Sequence, residues 1–246
     1  MSKKAVVIGA GFAGLSTASL LQKKGWDVTV WERNSGVGGR ARLWESDGYS
    51  FDMGPSWYLM PEVFDRFFAH FGRTAAESYS LTKLRKQYKV FFEGLPSETI
   101  SDDLEETKAL FERFEAGGAR KLTRFLAEAK FKYDTAMSGF LEKDYKSLTD
   151  FFNWTILTKG PGLGLFSSLD SFVSKNFKDR RSRQILEYAM VFLGSSPSNA
   201  PSLYSLLSHV DLNLGVWFPA GGMNGVAQAL ARLLEEHGGK IELNKD

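Results

Sequence analysis

The stretch from Val6 to Arg40 limits what this chain can fold into more than any other. It reads Val6-Val7-Ile8-Gly9-Ala10-Gly11-Phe12-Ala13-Gly14, continues through an apolar-periodic segment to Gly25, rises through Val28-Thr29-Val30 to Trp31-Glu32, and ends in Gly38-Gly39-Arg40. A strand, a glycine turn, a helix, a second strand and an acidic stop make one βαβ unit. Gly9 permits the tight turn, Gly11 lets backbone approach a pyrophosphate, and Gly14 lets helix and strand pack closely. The helix that starts there points its unpaired N–H groups and the positive end of its dipole at phosphates. Glu32, eighteen residues after Gly14, falls where a carboxylate accepts hydrogen bonds from a ribose and repels a 2′-phosphate. FAD or NAD is therefore favoured over NADP. Ala5, Val7, Ala18, Leu21, Val28 and Val30 occupy the positions that a βαβ core needs.

Length and composition narrow the classes further. At 246 residues the chain has room for one large domain or two ordinary ones. Apolar and charged fractions of 43% and 24% are those of a globular protein, and a net charge of +2 makes no case for nucleic acid. Twenty phenylalanines give it much flat apolar surface to bury or to offer an apolar ligand. The absence of cysteine excludes disulfides, thiolate catalysis and Cys-ligated metals. His70, His209 and His237 are scattered, each at the end of a helix-like stretch, so surface or capping roles are expected and no metal site. Lys3-Lys4 and the apolar run to Leu21 look superficially like a signal peptide, but the glycines have dinucleotide spacing and Gln22-Lys23-Lys24 follows. The uncharged run from Tyr188 to Val210 contains Ser195-Ser196-Pro197-Ser198-Asn199 and Pro201, which reads as two helices around a turn rather than a membrane span. An intracellular protein is expected.

Beyond Glu32 a polar loop from Arg33 leads to Gly38-Gly39-Arg40, where two glycines suggest backbone pressed against a ligand and the guanidinium can fork onto phosphate or flavin oxygens. Ala41 to Phe51 reads as a hairpin turning at Asp47-Gly48, closed by Asp52-Met53-Gly54-Pro55. Pro61 starts a helix with Val63, Phe64, Phe67, Phe68 and Phe71 on its apolar side. Short strands are expected at Leu81 to Arg85, Tyr88 to Phe92 and near Ile100. Residues from Ser101 to about Lys178 should be chiefly helical, with breaks at Gly117-Gly118, near Lys143 to Lys146 and at Gly160-Pro161-Gly162. Two further helices are predicted at Asp179 to Leu193 and Ser202 to Leu212. Gly215 to Pro219 reads as a strand, Gly221-Gly222-Met223 as the opening of a helix to Glu236, and Lys240 to Asn244 as a strand that rejoins the nucleotide sheet. The predicted architecture is α/β: a Rossmann-like FAD-binding domain over 1–80 and 214–246, with a mainly helical α+β domain over 81–213 inserted into it.

Taken together these landmarks resemble the bacterial carotenoid desaturases, phytoene desaturase above all. The likeness rests on Val7-Ile8-Gly9-Ala10-Gly11-Phe12-Ala13-Gly14-Leu15, Gly38-Gly39-Arg40-Ala41, and Gly48-Tyr49-Ser50-Phe51-Asp52-Met53-Gly54-Pro55. Leu203-Tyr204-Ser205-Leu206 and Gly215-Val216-Trp217-Phe218-Pro219-Ala220-Gly221-Gly222-Met223 extend it. The first three motifs are shared with flavin amine oxidases and porphyrinogen oxidases, whereas the tryptophan strand before Pro-x-Gly-Gly points to desaturases and carotenoid isomerases. The resemblance implies FAD as cofactor and hydride transfer to it from a long apolar polyene. It also implies cofactor-binding roles for Gly9, Gly11, Phe12, Ala13, Gly14, Glu32, Arg33, Gly38, Gly39, Arg40, Asp52 and Gly54. Ser147-Leu148-Thr149-Asp150-Phe151 looks like a family segment whose aspartate lies near the substrate, so Asp150 is the candidate acid or base, with helix capping as its alternative role.

Such enzymes are about twice this long, and the chain resembles their N-terminal half. By that likeness a C-terminal half or second chain is an expected partner, and the 246 residues alone are expected neither to hold FAD tightly nor to desaturate. A polyene dissolves in bilayers, so attachment to the inner face of the cytoplasmic membrane is expected. Leu165, Phe166, Leu169, Phe172, Val173 and Phe177 share a predicted helical face, and the basic residues Lys175, Lys178, Arg180, Arg181 and Arg183 follow. That face suits either lipid or a protein core. A flavin oxidase of the amine or porphyrinogen type, and a noncatalytic remnant or binding subunit, are the competing functional readings.

Overall fold

The computed structural model describes residues 2–140, 146 and 162–246. Asp150, with the predicted breaks at Lys143 and Gly160-Pro161, lies outside the described residues. The chain divides into two compact units, Met1–Lys83 with Val216–Asp246, and Leu84–Gly215.

The first unit begins β1 (Lys4–Ile8), α1 (Phe12–Lys23), β2 (Asp27–Trp31), then the hairpin β3 (Leu43–Ser46) and β4 (Tyr49–Asp52), α2 (Pro61–Ala69) and β5 (Leu81–Lys83). In the second, β6 (Lys86–Val90) and β7 (Glu98–Ser101) precede α3 (Leu104–Phe114), α4 (Gly118–Thr135), α5 (Leu169–Asn176), α6 (Arg180–Glu187) and α7 (Leu206–His209). The chain then returns to the first unit with β8 (Trp217–Pro219), α8 (Gly222–Glu236) and β9 (Lys240–Glu242).

β1, β2 and β9 form a parallel sheet in the order β1-β2-β9, with Val7 opposite Val30 and Val30 opposite Ile241. Alternation sends Val28 and Val30 to one face, where they are fully buried with Leu15 and Ala18 of α1 and with Val226, Leu230 and Leu234 of α8. Ala5, Val7 and Leu21 pack at the margin of that core. The opposite face carries Val6, Ile8 and Trp31, which are 53%, 86% and 42% exposed. The β3–β4 hairpin turns at Asp47 and Gly48, both at positive φ, as a two-residue Asp-Gly connection requires. β5 pairs antiparallel with β8, Leu81 opposite Pro219. That pairing moves the boundary from residue 80 to Lys83 and gives these residues to the nucleotide-type unit rather than to the inserted one.

The second unit is a hairpin, β6 against β7, packed with helices around Ile100, Phe111, Leu122, Phe125, Leu169, Val173 and Phe177. Gly117, at φ +75°, separates α3 from α4 where the sequence predicted a break. Asp103, Ser168 and Asp179 cap α3, α5 and α6 through their side-chain oxygens.

Two expectations are corrected here. The predicted helices at Asp179 to Leu193 and Ser202 to Leu212 are segmented: α6 passes into a 3-10 run at Tyr188–Leu193, and α7 lies between a 3-10 turn at Ser202–Ser205 and a π turn at Val210–Leu214. Side chains along these segments bond to distant elements, Ser205 to Lys132 and Asp211 to Tyr88, and such tertiary bonds are invisible to a 3.6-residue period. The amphipathic segment from Leu163 is also not one helix. α5 starts at Leu169, and Leu169, Val173 and Phe177 are fully buried, with Phe177 edge-on to Phe111 and Phe125 at centroid distances of 5.7 and 5.8 Å. Of the face read as suiting either lipid or core, Leu169, Val173 and Phe177 lie in the core, Leu165 and Phe172 are half-buried, and Phe166, before the helix, is fully exposed. Arg181 of the basic run is bound to Asp179 and lies 4.1 Å over the Phe114 ring.

Candidate functional site

Strand β1 delivers the chain into the glycine turn. Gly9 has φ +96°, and its N–H donates to the Trp31 carbonyl at 2.7 Å, so the turn leaves β1 while still tied to β2. At Gly14 a Cβ would stand 1.9 Å from the Gly9 carbonyl oxygen, so only glycine lets α1 lie this close to the strand it follows. Gly11 is the N-cap of α1 and supplies no capping side chain, and the first turn holds no acidic residue, so the helix presents its positive end undiminished. Phe12 sets the entry of the helix by an edge contact with Phe64 of α2, centroids 6.4 Å apart, and Ala13 is exposed beside it.

The second glycine pair lies against the first. Gly38 donates its N–H to the Ala10 carbonyl at 2.8 Å, and a Cβ on Gly39 would come within 3.2 Å of the Gly11 Cα. Bare backbone therefore faces bare backbone. Gly54 continues the pattern: a Cβ there would stand 2.0 Å from the Arg40 carbonyl oxygen, so the stretch after β4 runs against the Gly38 to Arg42 loop. Met53 donates to the Arg42 carbonyl at 2.9 Å in the same place. The side chains of Arg33 and Arg40 are exposed.

Glu32, directly after β2, is 4% exposed. Burial acts to raise its pKa, but the Asn34 and Ala10 backbone N–H groups, the Asn34 amide and the charge of Arg33 together outweigh burial and hold the carboxyl below its ordinary value. Ala10 N–H donates to Oε2 at 2.8 Å, and Asn34 donates to Oε1 from its backbone at 2.9 Å and also from its side chain. A carboxylate has about four acceptor positions, so Oε2 keeps capacity for a ligand hydroxyl. Asp52, at the end of β4, has a buried Oδ1 with no hydrogen-bond partner among the described residues. Its carboxylate lies against Gly222 at the start of α8, where a Cβ would be 2.6 Å from both oxygens.

The first unit thus gathers Gly9, Gly11, Gly14, Glu32, Gly38, Gly39, Asp52 and Gly54 into one connected region, although they are spread over 46 positions of sequence from 9 to 54. Asn224 of α8, which sequence reasoning missed, also belongs to it: its amide donates to the Val37 and Ala41 carbonyls, each at 3.1 Å. The only sequence signal was an amide in the first turn of a glycine-opened helix. No cluster of His, Asp and Glu capable of holding a metal is present among the described residues. His209, expected at the surface, is buried against Tyr133 with its Nδ1 2.7 Å from the Asn213 amide nitrogen. The uncapped N-terminus of α1, with the Glu32 carboxylate at the end of β2, offers the groups that an adenine dinucleotide uses.

The profile of flavin containing amine oxidoreductases matches residues 12–246, and the chain belongs to that family, whose cofactor is a flavin. Among its relatives, carotenoid 3,4-desaturase of Haloarcula japonica is 41% identical over 241 residues, 98% of this chain and 49% of that protein. A 4,4′-diapophytoene desaturase (4,4′-diaponeurosporene-forming) of Staphylococcus aureus is 35% identical over 243 residues, 99% of this chain and 48% of that one. The resemblance to carotenoid desaturases read from the motifs is therefore real, and the chain spans about half the length of the curated relatives it matches. Among solved structures, an oxidoreductase from Methanosarcina mazei superposes with a TM-score of 0.63 at 20% identity, over 98% of this chain and 51% of that one. Putrescine oxidase bound to putrescine gives 0.58 at 18% identity, over 99% and 51%. At such identities these two likenesses establish the α/β fold alone.

Proposed function

We propose that the protein is an FAD-dependent oxidoreductase that desaturates a carotenoid polyene. The observation that carries this reading is the 41% and 35% identity, across nearly the whole chain, to two proteins named as desaturases of carotenoid type. Three features of the site support FAD as the flavin. Gly11 at the uncapped start of α1 carries no side chain that would obstruct a pyrophosphate, and Glu32 Oε2 retains room for a ribose hydroxyl. The orphaned Oδ1 of Asp52 supplies a buried acceptor for a further hydroxyl of the cofactor. Bound FAD supplies the hydride acceptor. The chain's residues bind and orient it: α1 neutralises the diphosphate charge, and the β4 end closes on the Gly38 to Arg42 loop. The mainly helical unit, Leu84–Gly215, is the proposed substrate unit, and Asp150 is the proposed proton acceptor by resemblance of its segment. Peripheral contact with the inner face of the cytoplasmic membrane belongs to the same proposal. Among the described residues no helix is long and apolar enough to cross a membrane.

The test uses the complete natural protein, offered phytoene in liposomes and, separately, primary amines. Desaturation should appear as new long-wavelength polyene absorption, and Gly11→Val should abolish flavin binding while the sheet still folds. Oxidation of an amine with the polyene unchanged would overturn the substrate class. A Gly11→Val protein that still copurifies yellow would overturn the pyrophosphate assignment.

A further inference from the structure

We infer that Asn224 is a positioning residue that holds the Gly38–Gly39 loop against the glycine turn that receives the cofactor pyrophosphate, without touching the cofactor; this rests on the FAD reading above. Asn224 sits in the first turn of α8 and is 8% exposed. Its two amide N–H donors divide between the Val37 and Ala41 carbonyls, both at 3.1 Å, which are the two ends of the loop that carries Gly38, Gly39 and Arg40. The loop has no slack around this clamp. Gly38 stands at φ +118°, and a Cβ on it would lie 2.8 Å from the Asn224 amide nitrogen and 2.8 Å from the Ala41 oxygen. From the other side Gly38 is tied to Ala10 at 2.8 Å, and the next residue, Gly39, is the one that faces Gly11. The chain of contact therefore runs from α8 through one amide group to the loop, and from the loop to the glycine turn 213 positions before Asn224 in sequence.

Few side chains can take this place. A carboxylate of the same size would set oxygen against two carbonyl oxygens, and an aliphatic chain would leave both carbonyls unpaired in a buried site. Among the described residues the asparagine Oδ1 has one long contact, 3.5 Å from the Gln228 amide, so the geometry is built around the donors. With the clamp gone the loop is held to the glycine turn by the Gly38–Ala10 bond alone among the described residues, so the backbone beside Gly11 shifts most, while Glu32 keeps its own bonds to Ala10 and Asn34; grip on a diphosphate is lost more than grip on a ribose.

The experiment uses the complete protein stripped of flavin, with FAD, ADP and adenosine as probes, in wild type, Asn224→Asp and the milder Asn224→Ser, each checked for folding by circular dichroism. ADP and FAD carry the pyrophosphate and adenosine lacks it. Loss of two hydrogen bonds predicts an increase on the order of tenfold or more in the dissociation constants of FAD and ADP, with that of adenosine raised by a much smaller factor. If the three ligands weaken together, Asn224 merely holds the unit together and the inference falls. Folded variants that bind ADP and FAD as wild type does overturn it as well, while leaving the FAD reading intact. A wild-type protein that binds no FAD overturns that reading and this inference with it.

Discussion

Single residues in this chain divide into those whose chemistry acts through what they are and those that act through what they lack. Gly14 is of the second kind: the missing Cβ leaves 1.9 Å that nothing but hydrogen can occupy, and the atom on the other side is a backbone carbonyl that cannot rotate away. Gly14→Ala should therefore destabilise the first unit by about 1–3 kcal/mol, the range for overpacking a tight site. Urea unfolding of the chain would show it as a lower midpoint at unchanged slope, and an unchanged midpoint would mean that strand and helix separate at no cost. Glu32 is of the first kind and does more than its spacing suggested. Beyond any ribose, it ties Ala10 and Asn34 across the glycine turn, so its carboxylate also holds the turn in shape. Because its folded pKa is depressed, that contribution is present above the free carboxyl value and is lost as pH falls through the folded one.

At the scale of elements, packing decides which apolar residues matter. Phe166 and Phe177 share a segment that sequence alone presents as one amphipathic face, yet the first is fully exposed and the second fully buried. Phe177→Ala should cost about 3–5 kcal/mol because it opens a cavity between Phe111 and Phe125. Phe166→Ser should stay within about 0.5 kcal/mol of wild type, as exposed substitutions do. Equilibrium denaturation of the two variants side by side measures the contrast, and equal effects would refute the placement of α5. The same geometry selects the mutant for a liposome flotation assay. Phe166→Ser leaves the fold alone, whereas Phe172→Ser disturbs a ring 5.2 Å from Phe125 that also lies 3.9 Å under the ammonium of the buried Lys132.

For the whole molecule, the mainly helical unit holds carboxyl groups that its interior disfavours as ions. Asp211 is 5% exposed and accepts from Tyr88 at 2.6 Å and Tyr188 at 3.1 Å through Oδ2, while Oδ1 has no hydrogen-bond partner among the described residues. Burial pushes it up to about 6 against the opposing pull of the two hydroxyls. Glu187 is pushed up to about 7, by burial first and the charge of Asp170 second, with Arg183 opposing. Both are raised above their unfolded values, so the stability they contribute is present when protonated and is lost as pH rises through about 6 and 7. Thermal unfolding should accordingly move to higher temperature as pH is lowered from about 8 to about 5, and Asp211→Asn should flatten the profile and melt above wild type at the alkaline end. A wild-type profile that falls over this interval would show that the hydroxyl bonds, not burial, govern Asp211. The sheet of the other unit adds a second whole-molecule feature. A parallel sheet is usually covered on both faces, and here Val6, Ile8 and Trp31 remain on the uncovered one.

Local spacing and forbidden side chains carry their information in the sequence alone. The β1-α1-β2 unit, the Asp-Gly hairpin, the helix opened by Pro61 and the return through β8, α8 and β9 were all legible, because turn glycines and alternation are properties of neighbouring residues. The close backbone approaches at Gly14, Gly38, Gly39 and Gly54 were legible for the same reason: a glycine kept where a Cβ would clash marks close approach whatever the approaching group. Tertiary structure decided the rest. It placed Lys83 and not residue 80 at the unit boundary, through a pairing with Trp217 that lies 134 positions away. It buried His209 and the α5 face, and it cut two predicted helices into 3-10, α and π turns. It brought Asn224 onto a loop that no periodicity connects to α8. Each of these depends on a hydrogen bond or contact between residues far apart in the chain, whose formation is settled by the competition among buried surfaces for partners rather than by any pattern a short window contains.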